Sequence, residues 1–572
     1  MSLLKKYIKE SILLIICCFS LQSCKIDVTP TDRYTEEVIW NDPGSIELYI
    51  NDMYQEFRRF QFGTFPIGYD NATDGLTDLL KYTSSASGNG TVNILATDAS
   101  RINSASPGLN YWANAYTRIR RINEFLDGIH TYAQIDNGKK LGYEAEARFI
   151  RAYIYFMLVK LHGSVIIMKD LSDHTRKDIA RSSENDCWNF IASDLEYAAA
   201  YLPKTWKTIE GGKFEGKATK GAALSMLART WLYAASIAEF DKKQFNADPL
   251  TGVPADKAQT YYTNAKNAAQ GVVDLANEGY YALSADFANI FQNKNSTESI
   301  FRLDFVTQLV THQYDFGFVP PGDDPGQTMV YGVPTANLVD EFEMADGNKF
   351  NWSTPSMSND PYANREKRFY ASILYNGAVW KGRTLNTTVT GTLDGFVAYG
   401  SMSEPRKTVT GYYAKKMLDP TNTTILTSKS TQSWHEIRYA EVILILAEAK
   451  AMLNDVSGSR TALNQLRGMR SLPNTPANSK ADLMKAIEHE RIVELAFEGH
   501  RFWDLRRWRK AHQTLNDTRF RGHKISTIGN SLNYESVSVD DKDREFFTSL
   551  YYLPILDTEV QRNGLLAQIQ GW

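Results

Sequence analysis

The chain has 572 residues, with 63 basic and 66 acidic side chains and a net charge of −3. That balance gives no reason to expect a nucleic-acid partner, and the length suffices for several ordinary domains or one large helical assembly. Its 31 Tyr, 27 Phe and 11 Trp suit both a core and a surface on which pyranose rings stack.

The chain opens on Lys5, Lys6 and Lys9, followed by an apolar run from Ile12 to Phe19 and then Leu21, Gln22, Ser23 and Cys24. A basic stretch, a short apolar core and a small residue before a cut mark a secretory signal, here expected over 1–23. The apolar run is shorter than the roughly 20 residues that span a bilayer. Leu21-Gln22-Ser23-Cys24 resembles a bacterial lipobox, so Cys24 is the expected lipidation site. Cys17 and Cys18 fall in the removed segment, which leaves Cys187 alone and the mature chain without an internal disulfide. A buried apolar role is expected for Cys187.

Apolar stripes at three- and four-residue spacing, closed by Gly or Pro, predict helices over 45–60, 109–126, 142–161, 184–202, 217–236 and 256–277. Several set small residues beside large ones, as with Ala145, Ala147 and Ala152 beside Phe149, Tyr153 and Phe156. That habit lets helices approach closely and predicts tetratricopeptide-like stacking. From 287 to 433 the chain turns rich in Gly, Pro, Asn and aromatics. Pro320-Pro321-Gly322 excludes a helix there, and 384–399 reads as a hairpin or long loop. Helix returns over 435–454, 460–470 and 481–510, before a tail with Pro554. The expected division is 1–23, 24–286, a loop-rich 287–433, and 434–572.

No zinc motif or nucleophile elbow appears in the sequence. Gly211 to Ala218 approaches a phosphate-binding loop, but Ala218 stands where the magnesium-holding hydroxyl belongs, so a loop feeding the next helix is expected. Asp70, Asp74 and Asp78 recur every fourth residue, and capping or solvation is expected of them rather than metal binding. Arg501, Arg506, Arg507, Arg509 and Lys510 lie beside Trp503 and Trp508. With Glu490, Glu494 and Glu498 earlier, they fit one helix with its charges ordered along the dipole.

Several segments resemble the SusD/RagB-like family of outer-membrane lipoproteins. They are Glu490 through Trp508, Ile437 through Val442 with Ala447-Glu448-Ala449, and Ala218 through Leu224 with Leu227-Ala228-Arg229. Pro334 through Asp340, Asp360-Pro361-Tyr362 with Arg365, and Tyr552-Leu553-Pro554-Ile555 complete the set, in family order over nearly the whole mature chain. Asn563-Gly564 departs from the Asn-Pro that the family often carries. The resemblance implies a mainly α fold, a tetratricopeptide-like helical-pair scaffold with a loop-rich irregular half. It also implies a cell-surface binder without cofactor or catalysis, which passes oligosaccharide to a TonB-dependent, SusC-like transporter at the outer membrane.

Sugar capture needs flat rings ringed by amides, carboxylates or Arg, on loops held by a rigid scaffold. On that ground Tyr82, Tyr314, Phe318, Trp380 and Tyr399 are the expected stacking residues, and Asn71, Asp74 and Arg383 the polar ones. Two other classes fit parts of the pattern. A helical glycoside hydrolase would need a carboxylate pair, which the spacing does not single out. A peptide- or protein-binding scaffold would need an exposed apolar groove.

Overall fold

The computed structural model describes residues 36–59, 73–83, 96, 98, 100, 111–241, 248–307, 309–323, 330–399, 407–425 and 430–572. Cys24, Asp70 and Asn71 lie outside these residues. No described helix is long and apolar enough to cross a membrane.

Helix α1 (Pro43–Tyr54) starts at Asp42, whose carboxylate accepts from the backbone N–H of Ser45 at 2.9 Å and of Gly44 at 3.3 Å. Pro43 takes the first turn, where its missing N–H costs nothing. Then come α2 (Trp112–Thr131), α3 (Asn137–His162), α4 (Glu184–Tyr201), α5 (Lys220–Phe240) and α6 (Ala258–Asn277), each packed on the next. Helix α5 is buried from Gly221 to Ala238 except at Leu224, and its alanines let α4 and α6 close on it from two sides. Cys187 is buried within this stack on α4, and burial pushes its thiol up to about 12, the environment of a small apolar residue.

The stack is completed from far along the chain. Helix α7 (Tyr439–Met452) lies on α6 and α5 and carries α8 (Val456–Met469) and α9 (Lys480–Glu494). Between α6 and α7 the chain leaves the scaffold and comes back. Strand β2 (Ser299–Leu303) leads out and β8 (Trp434–Arg438) leads in, paired antiparallel with Phe301 opposite Ile437. The irregular lobe of 304–433 is thus a single excursion closed at its base by one strand pair. Within it β3 (Gly332–Pro334) pairs with β1 (Leu80–Tyr82) from the N-terminal region, and β4 (Ile373–Leu374) pairs with β7 (Tyr413–Ala414). Strands β5 (Val379–Trp380) and β6 (Arg383–Thr384) form a hairpin. Its two turn residues, Lys381 and Gly382, both have positive φ, 49° and 76°, the geometry that matches strand twist in a two-residue loop.

Two expected helices differ, and one hairpin is unexpected. Residues 434–438 form β8 rather than the start of a helix, because pairing with β2 satisfies their backbone. The helix expected over 481–510 ends at Glu494. Phe497 and Gly499 take positive φ, 66° and 75°, and α10 (Arg501–Arg507) restarts beyond them. The chain then forms a hairpin of β9 (Arg521–Ile528) and β10 (Ser531–Ser538), joined by Gly529 and Asn530.

The break after α9 leaves Glu498 beyond the helix, and all three glutamates of this stretch serve a different use from the dipole ordering expected of them. Glu490, Glu494 and Glu498 are buried, and each meets buried cations. Glu494 pairs with Arg438 at 2.8 Å, Arg470 at 2.8 Å and Arg368 at 2.9 Å. Glu498 pairs with Arg438 at 2.6 Å and Lys416 at 2.6 Å, and Glu490 with Arg467 at 3.0 Å and Arg368 at 2.5 Å. Arg368 and Lys416 belong to the irregular lobe, Arg438 to β8 and Arg467 to α8, whose C-terminus Arg470 caps. The network bolts the lobe to the scaffold with directional bonds. An isolated charge at this depth would cost several kcal/mol.

Candidate functional site

The β5–β6 hairpin gathers two of the expected site residues at the edge of the lobe. Trp380 Nε1 donates to Asp323 Oδ2 at 2.7 Å, and Arg383 Nη2 donates to Asp323 Oδ1 at 2.6 Å. The other side of the Arg383 guanidinium is held by Asp394, which also accepts from Gly322 N at 2.9 Å. A Cβ at Gly322 would lie 2.7 Å from the guanidinium carbon, so only glycine lets the chain pass this close. Lys381 completes the cluster, 3.3 Å from Asp323, and donates to the Asn422 carbonyl at 2.5 Å. Burial opposes the Arg383 charge, but the bonds from Asp394 and Asp323 outweigh it and raise its pKa. The Arg383 side chain as a whole keeps 26% of its surface. The result is a charge-balanced rim with a fixed donor, bordered by exposed Val379 and Leu393.

The other expected residues are placed differently. Tyr82 is fully buried in β1, and Tyr314 and Phe318 stack on each other with centroids 4.6 Å apart inside the core. Trp380 is 5% exposed. The expectation that these four rings offer stacking faces is therefore corrected: their apolar area is used to hold otherwise irregular chain together. Asp74 is also buried and accepts from Gly499 N at 3.2 Å, while Asp78 binds Arg501 at 2.8 Å. These two aspartates tie the N-terminal region to the chain around α10, Asp74 out of water and Asp78 partly exposed. Tyr399 alone among the rings stays partly exposed, with the Lys81 ammonium 4.0 Å from its centroid. Lys81 is buried against Asp540 at 2.8 Å, and burial pulls it down to about 8.

Sequence reading missed a second group of rings. Trp352 and Tyr534 are half-buried, 5.5 Å apart, and continue through Tyr362 to Tyr375. Trp352 Nε1 donates to Asp340 at 3.0 Å, and burial raises that carboxyl to about 6. Tyr534 arrives on β10, so the group exists only once the C-terminal hairpin folds back over the lobe. The Gly529-Asn530 turn between two apolar-polar alternating runs was the one local signal for that hairpin.

A stack of helix pairs that carries an aromatic-rich lobe on an ion-paired base defines a tetratricopeptide-like scaffold protein with one elaborated face. The model of the SusD family matches residues 287–572, and a model described as starch-binding associating with outer membrane matches 48–232. The chain belongs to the SusD family. SusD-like protein P2 of Formosa agariphila is 26% identical over 428 residues, covering 71% of this chain and 72% of that one. A SusD-like protein of Bacteroides fragilis, solved by crystallography, is 25% identical and superposes with a TM-score of 0.76 over 93% of this chain and 98% of its own. A laminarin-binding SusD-like protein shares the fold, with 19% identity and a TM-score of 0.62 over 93% of this chain and 100% of its own.

Proposed function

We propose that this protein is a cell-surface glycan-binding lipoprotein, anchored through Cys24 to the outer membrane with its lobe facing outward. It captures an oligosaccharide and hands it to a TonB-dependent, SusC-like transporter without cleaving it. The observation that carries the reading is the match of 48–232 to a family described as starch-binding and outer-membrane-associated. The carbohydrate-binding and laminarin-binding names of two structural neighbours support it. The lobe is the ligand face in this reading. Arg383, Lys381 and Tyr399 contact the ligand at its rim, and the ion-paired base keeps that rim rigid, which limits the entropy lost on binding. Native gels cast with starch, laminarin, xylan or mannan test the function. Retardation by one polysaccharide without a rise in reducing ends supports capture, whereas free migration through all of them contradicts it.

A further inference from the structure

Away from the lobe rim lies a cavity of about 360 Å³, within the size range of small-ligand pockets. Three segments wall it: the α4–α5 loop, the chain just after α6, and the approach to β2 with the strand itself. The first includes Glu215-Gly216-Lys217, the stretch that imitates a phosphate-binding loop in sequence.

Its chemistry is specific. Trp206 is partly exposed on one wall, and its Nε1 donates to the Ala218 carbonyl at 2.8 Å, so the indole is fixed before any ligand arrives. Phe214 meets it edge-on at 5.8 Å. Tyr280 stands at the mouth, 37% exposed, with the Lys204 ammonium 5.8 Å from its ring. Hydroxyl and amide side chains such as Thr208 and Asn295 add to the lining, beside the carboxylate of Glu215 and apolar Ile300 and Phe301. Three of the four cations of the wall are already matched, and the fourth, Lys207, is exposed to solvent. Lys204 meets Glu278 at 2.5 Å, Lys217 meets Glu146 at 3.2 Å, and Arg302 meets Asp304 at 2.9 Å. A phosphate or sulfate would meet one solvated lysine and would have to compete with carboxylates for the other three cations, and an apolar ligand would strand the polar lining. A neutral polyol with flat apolar faces satisfies both constraints.

We propose that this cavity is a second carbohydrate site, separate from the lobe rim, which holds a short neutral oligosaccharide against Trp206 and Tyr280. The inference rests on the glycan-binding reading for its ligand class but on none of the lobe residues for its geometry. Fluorine NMR of the full chain carrying 5-fluorotryptophan tests it, with the Trp206 signal assigned by its loss in Trp206→Phe. The probes are maltotriose, laminaritriose, xylotriose and mannotriose. One of them is expected to shift the Trp206 signal, to do so equally in Arg383→Gln, and to bind this site about fivefold more weakly in Tyr280→Ala. A Trp206 signal unmoved by all four overturns the second site, as does a shift that disappears in Arg383→Gln. If the trimers bind elsewhere on the chain, the proposed function survives that result; if they and the parent polysaccharides bind nowhere, both readings fall.

Discussion

Arg438 and Glu494 meet at 2.8 Å where the returning strand of the lobe touches the scaffold, and both side chains are almost wholly removed from water. Arg438 also donates to Glu298 at 3.0 Å, to Glu498, and to the Glu494 carbonyl at 2.8 Å. One guanidinium therefore ties together the segment before β2, the end of α9 and the turn beyond it. Replacing it with Met leaves three buried carboxylates short of a partner. Arg438→Met is expected to destabilise the protein by about 3–5 kcal/mol in urea unfolding, far more than a surface pair would.

Acid should unfold the protein in two stages. Burial holds His162, His435, His500 and His523 at about 4 in the fold, against about 6.5 in an unfolded chain. Between those values the unfolded state binds more protons, so stability falls as pH drops from about 6.5 to about 4. Below that, Glu498, Asp504 and Asp540 take over. Burial alone would raise them, but neighbouring cations outweigh it and hold each at about 2. Their contribution is complete above the unfolded carboxylate value of about 4 and is lost as pH falls towards 2. Melting temperature against pH is expected to show both limbs. His523→Asn should flatten the first and Glu498→Gln the second, relative to their own values at pH 7.

Gly411 has a φ of 86°, and a Cβ there would fall on the carbonyl oxygen of His523 in β9. The lobe and the C-terminal hairpin touch backbone to backbone at this point. Gly411→Ala is expected to cost about 2 kcal/mol or more, because strain and steric overlap add. A melting temperature unchanged from wild type would contradict that contact.

Trp380 and Arg383 share Asp323 but should respond differently to mutation. Trp380→Ala empties a buried site and is expected to lose about 3–5 kcal/mol of stability. Arg383 is partly exposed, and Arg383→Gln keeps a donor toward Asp323. A smaller loss, about 1 kcal/mol, is expected there, together with weakened glycan binding. Chemical denaturation paired with calorimetric titration of both variants separates the two roles.

Local pattern carried the scaffold. The helices from α1 to α6 are amphipathic or Ala-rich with clear stops, and their positions follow from residues within one or two turns. The irregular lobe was legible as a change of composition, and no further. Whether Tyr314 faces solvent or Phe318 depends on contacts across the excursion, and nothing within a few residues of either encodes that choice. The same limit hid β8. Ile437 fits a helical stripe with Ala440 as well as it fits a strand, and only the partner strand β2, more than a hundred residues earlier, decides between them. The Glu490–Glu494–Glu498 spacing fits a helix face, whereas their partners Arg368, Lys416 and Arg438 lie on segments remote in sequence.

The central question is whether this chain captures a glycan intact at its lobe. The most direct measurement is a glycan array of plant, fungal and host polysaccharides, probed with the chain cut after Ser23 and with Cys24 replaced, and with Arg383→Gln run alongside. Reducing ends are followed in the same wells. Capture predicts binding to one polysaccharide class, reduced in Arg383→Gln, with no release of reducing ends. Release of reducing ends, or silence across the array, would contradict it.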